Sequence, residues 1–183
     1  EKMKEIVISC ARNQARTADA SVSESISVWD LASGTVLHSF KHNSSDPNCF
    51  CFVGTDFLAS VQNDHSTTLH FWSWKKNQVH LKSSLPEKIT SLLATNDGNF
   101  LIAGGLSGKL YLWHIPSGVL VNSWTSHYKK VTCIAVTDDD TFLLSGGEDS
   151  CINVWNIAAV MNIKSDSDAE VISPVMSWTD HSL

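Results

Sequence analysis

The stretch Phe142-Leu-Leu-Ser145-Gly-Gly-Glu-Asp149-Ser-Cys-Ile-Asn-Val-Trp155 decides the fold. Its two ends are short apolar runs. Along the second, Ile152 and Val154 fall on one face and Asn153 and Trp155 on the other, the alternation of a half-buried strand. Between the runs lie Gly146-Gly147-Glu148-Asp149-Ser150, residues that favour a turn over continued extension. The Trp155 end recurs upstream without gaps, as Ile26-Ser-Val-Trp29-Asp-Leu31, Leu69-His-Phe-Trp72-Ser-Trp74 and Leu110-Tyr-Leu-Trp113-His-Ile115. The four tryptophans Trp29, Trp72, Trp113 and Trp155 stand 43, 41 and 42 residues apart.

A period of about 40–45 residues with four short strands per repeat is the signature of WD-type propeller blades. The strands can be placed around each tryptophan. Turns at Ser33-Gly34 and Ser117-Gly118 lead into Thr35–Phe40 and Val119–Trp124. Upstream, pairs of strands flank polar turns: Val131–Val136 and Thr141–Ser145 around Asp138-Asp139-Asp140, and Ile89–Ala94 and Phe100–Ala103 around Asn96-Asp97-Gly98. A looser pair, Cys49–Val53 and Phe57–Ser60, flanks Gly54-Thr55-Asp56. The expected architecture is an all-β WD-repeat β-propeller segment over residues 1–183. It amounts to about four blades of a larger propeller of about seven, since such folds use about 4–8. Glu5–Cys10 reads as the second strand of the first blade, with Ser9 in the place of Ser145 and a polar stretch, 11–25, in the turn. Ser177-Trp178-Thr179-Asp180-His181 echoes Ser123-Trp124-Thr125-Ser126-His127, so a last strand is expected there, reached through a polar insert, 162–170, read as a solvated loop. The chain reads as an N-terminal fragment, with residues beyond Leu183 expected to supply the strand missing beside Glu5–Cys10.

The Phe142–Trp155 stretch closely resembles the WD-repeat pattern, in which a His, a Ser or Thr, an Asp and a Trp form a buried tetrad. The matching residues here are His127, Ser145, Asp149 and Trp155. An indole N–H can donate to a hydroxyl, the hydroxyl to one imidazole nitrogen, and the other ring N–H to a carboxylate. The other repeats depart from the pattern. Ser23, Ser66 and Ser107 stand where Asp149 stands, and Leu85 stands where His127 does; His42 is a candidate in the second repeat. Those blades are expected to rely mainly on apolar packing.

Composition narrows the function. Of 183 residues, 43% are hydrophobic and 17% charged, values of a folded chain. A net charge of −6 argues against nucleic-acid binding through phosphate neutralisation, and Lys129-Lys130 beside Tyr128 is a weak basic step. No direct sequence-specific nucleic-acid contact is expected. No apolar run approaches the roughly 18 residues of a membrane helix, so no membrane partner is expected. Five cysteines without a CxxC pair suit a reducing compartment. Cys49-Phe50-Cys51 has no second pair to complete four metal ligands and reads as core. Asp138–Asp140 reads as a solvated turn. Neither a G-x-S-x-G elbow nor a glycine-rich phosphate loop is present, and Gly104-Gly105 and Gly146-Gly147 read as turn residues before a Trp strand. No catalytic residue, metal or cofactor is expected. Tyr128, Lys129 and Glu148 are candidates to face a partner. Ser165 and Ser167, followed three residues later by Asp168 and Glu170, are candidate phosphosites for an acidophilic kinase.

The run His127-Tyr128-Lys-Lys-Val-Thr132, the Ser145-to-Asp149 turn, and the insert leading to Trp178-Thr-Asp-His181-Ser-Leu183 resemble the WD repeat-containing protein 18 family. The resemblance implies a non-catalytic scaffold in the nucleus, in nucleolus and nucleoplasm, that serves maturation of the large ribosomal subunit precursor. It implies helical-repeat scaffold subunits as partners and, through them, the giant AAA ATPase midasin and the pre-60S particle. It further implies a role in removing an internal transcribed spacer from pre-rRNA, and a link to DNA replication licensing. The alternative class is a WD-repeat adaptor for signalling, chromatin or DNA replication, or ubiquitin-ligase assembly.

Overall fold

A computed structural model describes residues 5–11, 25–41, 45–46, 48–62, 67–73, 78–162 and 172–179. They form four antiparallel sheets, each a meander in chain order. The first holds β1 (Ile6–Ala11), β2 (Ser25–Asp30) and β3 (Thr35–Lys41). The second holds β4 (Phe50–Val53), β5 (Phe57–Val61), β6 (Thr68–Ser73) and β7 (Gln78–Ser84). The third holds β8 (Ile89–Ala94), β9 (Phe100–Gly105), β10 (Lys109–His114) and β11 (Val119–Thr125). The fourth holds β12 (Val131–Val136), β13 (Phe142–Gly147), β14 (Ile152–Asn156) and β15 (Met176–Trp178), with a short helix α1 (Ile157–Asn162) between the last two strands. This is a run of WD-type propeller blades.

The cores lie between successive sheets. Ile26, Val28 and Phe40 of the first meet Leu58 and Trp72 of the second. Val53, Ala59 and Leu69 of the second meet Leu92, Leu101 and Trp113 of the third. Ile102, Leu112 and Trp124 of the third meet Val131, Leu143 and Trp155 of the fourth. The inner strands are covered on both faces, so β9 is buried from Leu101 to Gly105 without alternation. Burial of this kind, at roughly 25 cal/mol per Å² of apolar surface, is the main force holding the blades together.

Each of the first three sheets carries the same irregularity. The pairing of the last two strands slips by one residue at Val28/Trp29, Phe71/Trp72 and Leu112/Trp113. Such a bulge bends the outer strand and increases its twist. A second bulge, at Thr90 and at Thr132, frees a hydroxyl that donates to the carbonyl of Gly104 or Gly146 at 3.0 Å.

One sequence expectation is corrected here. Gly104-Gly105 and Gly146-Gly147 lie within β9 and β13, outside the turns, and none of the four has positive φ. Close approach explains all four: a Cβ on Gly104 would sit 2.5 Å from Ser91 Oγ and Val131 Cγ1, one on Gly105 would run into the Glu87 carboxylate, one on Gly146 would sit 2.8 Å from Cys133 Sγ, and one on Gly147 2.5 Å from Asp149 Oδ1 and His127 Nδ1. The stretch between Trp155 and the polar insert is helix α1, and only Asn162 of the insert belongs to it. Asn156 Oδ1 caps the helix by accepting the Ala159 N–H at 2.9 Å, and Ile157 and Val160 are buried. Residues 163–170 of the insert lie outside the described residues.

Candidate functional site

The turn between β13 and β14 brings Asp149 beneath the loop that joins β11 to β12. There His127 is buried. Its Nδ1 lies 3.0 Å from Asp149 Oδ1 and its Nε2 2.9 Å from Ser145 Oγ, while Trp155 Nε1 donates to the same hydroxyl at 3.0 Å. A carboxylate only accepts, so Nδ1 carries the proton and Nε2 accepts from Ser145. Ser126 Oγ, 2.8 Å from Ser145 Oγ, completes that oxygen's partners. Asp149 also accepts the backbone N–H groups of Tyr128 at 2.9 Å and Cys151 at 3.2 Å. Burial alone would raise the Asp149 carboxyl; these two N–H groups and His127 outweigh it and hold the carboxyl below its ordinary value. The arrangement welds one rim loop to one turn and leaves no proton-transfer partner open to a substrate.

The other sheets solve the same problem differently. Trp29 Nε1 donates to Ser9 Oγ at 2.7 Å and Trp72 Nε1 to Ser60 Oγ at 3.0 Å, so both keep the indole–hydroxyl bond. His42, Ser23 and Ser66 lie outside the described residues. In the third sheet Ala103 takes the serine's place, and Glu87 supplies a network that the sequence reading missed. Its carboxylate accepts the Ser107 N–H at 2.8 Å, the Ser107 hydroxyl at 2.5 Å and the Tyr111 hydroxyl at 2.6 Å. The carboxylate thus reaches across from the preceding loop to the turn, the reverse of Asp149. Burial opposes its charge, yet the bonds from Ser107 and Tyr111 hold Glu87 below the usual carboxylate range. Burial first, and then the Glu87 bond and charge, push the Tyr111 phenol up to about 12. The expectation of mainly apolar packing in this sheet is therefore corrected. The only available signal was the position of Glu87 two residues after Leu85, on a loop that sequence periodicity does not describe.

Tyr128 and Lys129 lie on the rim beside this centre, Tyr128 at 95% exposure. Glu148 is exposed and accepts from Lys130 Nζ at 2.6 Å. Asp140 does more than face solvent. Its Oδ1 accepts the Asn96 N–H at 2.9 Å and its Oδ2 the Asp97 N–H at 3.0 Å, clasping the hairpin of the neighbouring sheet. Asp139 accepts from Thr137 Oγ1 at 2.6 Å and, with the Thr141 bonds, its carboxyl falls to about 2. Cys49 is buried, donates to the Ile89 carbonyl at 3.5 Å, and its thiol is pushed up to about 12 by burial and then by Asp46. Among the described residues no group of three or more His, Cys, Asp or Glu is placed to hold a metal. No described helix is long and apolar enough to cross a membrane. Ser165 and Ser167 lie outside the described residues.

Comparison with known proteins agrees with this geometry. The family model "WD domain, G-beta repeat" matches residues 77–114 and 118–156. Protein ROOT INITIATION DEFECTIVE 3 of Arabidopsis thaliana is 41% identical over 115 residues, 61% of this chain and 26% of that protein. Pre-rRNA-processing protein IPI3 of Yarrowia lipolytica is 33% identical over 159 residues, 84% of this chain and 35% of that protein. WD repeat-containing protein 18 of Bos taurus is 26% identical over 102 residues, 56% of this chain and 23% of that protein. The chain therefore spans between 23% and 35% of the length of these relatives. With four antiparallel sheets, a repeating tryptophan strand and these matches, the chain is a WD40-repeat protein related to pre-rRNA-processing protein IPI3, WD repeat-containing protein 18 and ROOT INITIATION DEFECTIVE 3.

Proposed function

We propose that this chain is a WD-repeat propeller segment, residues 1–183, of a non-catalytic scaffold in large ribosomal subunit biogenesis. The observation that carries the reading is the match to a pre-rRNA-processing protein over 84% of the chain, on a WD40 frame. The polar side chains at the heart of the fourth sheet are consumed by one another, which suits a rigid platform. Binding on such a platform belongs to its rim, where Tyr128, Lys129 and Glu148 lie. The expected partners are helical-repeat scaffold subunits and, through them, midasin and the pre-60S particle. The expected place is the nucleus, in nucleolus and nucleoplasm, without direct sequence-specific nucleic-acid contact.

Affinity purification of the full-length protein from dividing cells tests this. Large-subunit precursor factors should co-purify, and depletion should make pre-rRNA that retains an internal spacer accumulate on a hybridisation blot. Normal spacer removal after depletion overturns the reading. A second reading, an adaptor in developmental signalling, is favoured by the relative whose name refers to root initiation. It predicts signalling, chromatin or ubiquitin-ligase partners in the same purification.

A further inference from the structure

The three sheet-to-sheet interfaces are not filled alike. In the first, Phe40, the cross-strand partner of Ile26, lies against Trp72 of the next sheet with ring centroids 5.0 Å apart. In the third, Trp124, the partner of Leu110, lies edge-on against Trp155 at 5.7 Å. The corresponding residue of the second sheet is the partner of Leu69, and it is Ser83. No ring reaches from Ser83 towards Trp113. Two residues earlier on the same face, Leu81 stands where Asn122 bonds the Val160 carbonyl at 2.9 Å in the third interface, and Leu81 is 47% exposed. A groove of about 310 Å³ remains between Leu81, Ser83 and Trp113, floored by Leu69 and Leu101. Among the described residues, the ionisable ones that line it are Lys82 and His114.

We propose that this groove is a docking site for an aromatic side chain carried by an acidic segment of a protein partner. The occupant's chemistry is read from the molecule's own repeats: at the equivalent place on either side, a phenyl and an indole pack against the next tryptophan. Trp113 and Leu81 offer an entering ring apolar and edge-to-face contact. The volume is at the small end of ligand pockets, the size for a single side chain and its flanks. Charge selects the flanks. Lys82 is exposed at the wall and, among the described residues, no carboxylate lines the groove, so acidic neighbours of the ring gain attraction and basic ones are repelled. The proposal does not depend on the ribosomal reading.

The test is a calorimetric titration of the full-length protein with an acetylated Asp-Asp-Trp-Asp-Asp peptide amide, its Trp-to-Ala version and a Lys-Lys-Trp-Lys-Lys version. The acidic Trp peptide should bind saturably. The Ala and Lys versions should bind at least about tenfold more weakly, and the advantage over the Lys version should shrink with added salt. Ser83→Trp restores an internal ring and should remove binding while leaving the circular dichroism spectrum unchanged. Should that variant misfold, Leu81→Asp, at an exposed position, should weaken binding by about tenfold or more. Equal binding of the Ala peptide, equal binding by Leu81→Asp, or no saturable binding overturns the proposal. A Trp74→Ala variant that binds where the natural protein does not would also overturn it, because the chain's own tryptophan would then be the occupant.

Discussion

Trp155 combines two roles that other residues carry separately. Its ring is buried against Trp124, and its N–H occupies the Ser145 oxygen. Trp155→Ala should therefore cost about 3–5 kcal/mol through the lost ring. His127→Ala keeps the ring packing and leaves Asp149 its two backbone donors, so the loss should be smaller, about 1–3 kcal/mol. Denaturant titration of both variants in the full-length protein checks the order; equal and negligible losses would show that the hydrogen-bonded chain carries no stability. Asp149 contributes stability that is present above the ordinary carboxylate pKa and lost as the pH falls through its depressed folded value. Tyr111 has the opposite sign. Its folded value of about 12 lies above the unfolded one, so its contribution is intact below an ordinary phenol's pKa and lost as the pH rises through about 12. Glu87→Gln removes a charge from beside the phenol and should bring the Tyr111 ionisation, followed by ultraviolet absorbance, back toward its ordinary value. The tetrad residues were legible because the stretch from His127 to Trp155 matches the WD-repeat pattern position by position. Glu87 was not, because its partner lies 20 residues on and is chosen by the fold.

At the scale of elements, the hairpin between β12 and β13 is tied to its neighbour by one side chain. Asp140 sits at φ 55 and accepts two backbone N–H groups from Asn96 and Asp97. A strained residue held by charge-assisted bonds is a local clasp between blades. Asp140→Ala should cost about 1–2 kcal/mol, at the low end for bonds to a charged group because the site is open to water. Asp140→Gly relieves the left-handed strain and should cost less. Hydrogen exchange at the Asn96 and Asp97 amides reports the clasp directly: unchanged protection in Asp140→Ala would show that the bonds do not hold. The sequence reading took this acidic tip for a solvated turn, which is the usual fate of such residues. Only the approach of a second hairpin changes that. Helix α1 escaped notice for a related reason: six residues are too few to express a helical period, and its stability comes from Ile157 and Val160 packing into the third interface.

For the whole molecule, the exposed face of the fourth sheet is the most consequential surface. Trp178 pairs with Ile152 at the place where Trp124 pairs with Leu110, yet it is 46% exposed, beside Met176 at 54% and Val175 at 58%. Trp124, by contrast, is covered by Trp155. Exposed large apolar side chains such as Met176 and Trp178, two residues apart on one strand, favour association. The 183-residue chain in isolation should self-associate with rising concentration in sedimentation velocity, and Trp178→Asp combined with Met176→Asp should shift it toward monomer. A concentration-independent monomer would show that the face does not bind.

The sequence by itself determined the blade architecture, the strand that carries each tryptophan and the four residues of the tetrad. Each is encoded by alternation or by a fixed offset along one chain segment, and local spacing survives in the sequence as pattern. The tertiary structure alone decided which carboxylate serves the third sheet, which aspartate clasps a neighbour, and where a ring is missing between sheets. The first depends on a loop folding back onto a turn 20 residues on, and the others on what the next blade places opposite, as Asp140 stands 44 residues from Asn96. Ser83 is unremarkable as a letter in the sequence. It becomes a groove only when Trp113 stands across from it.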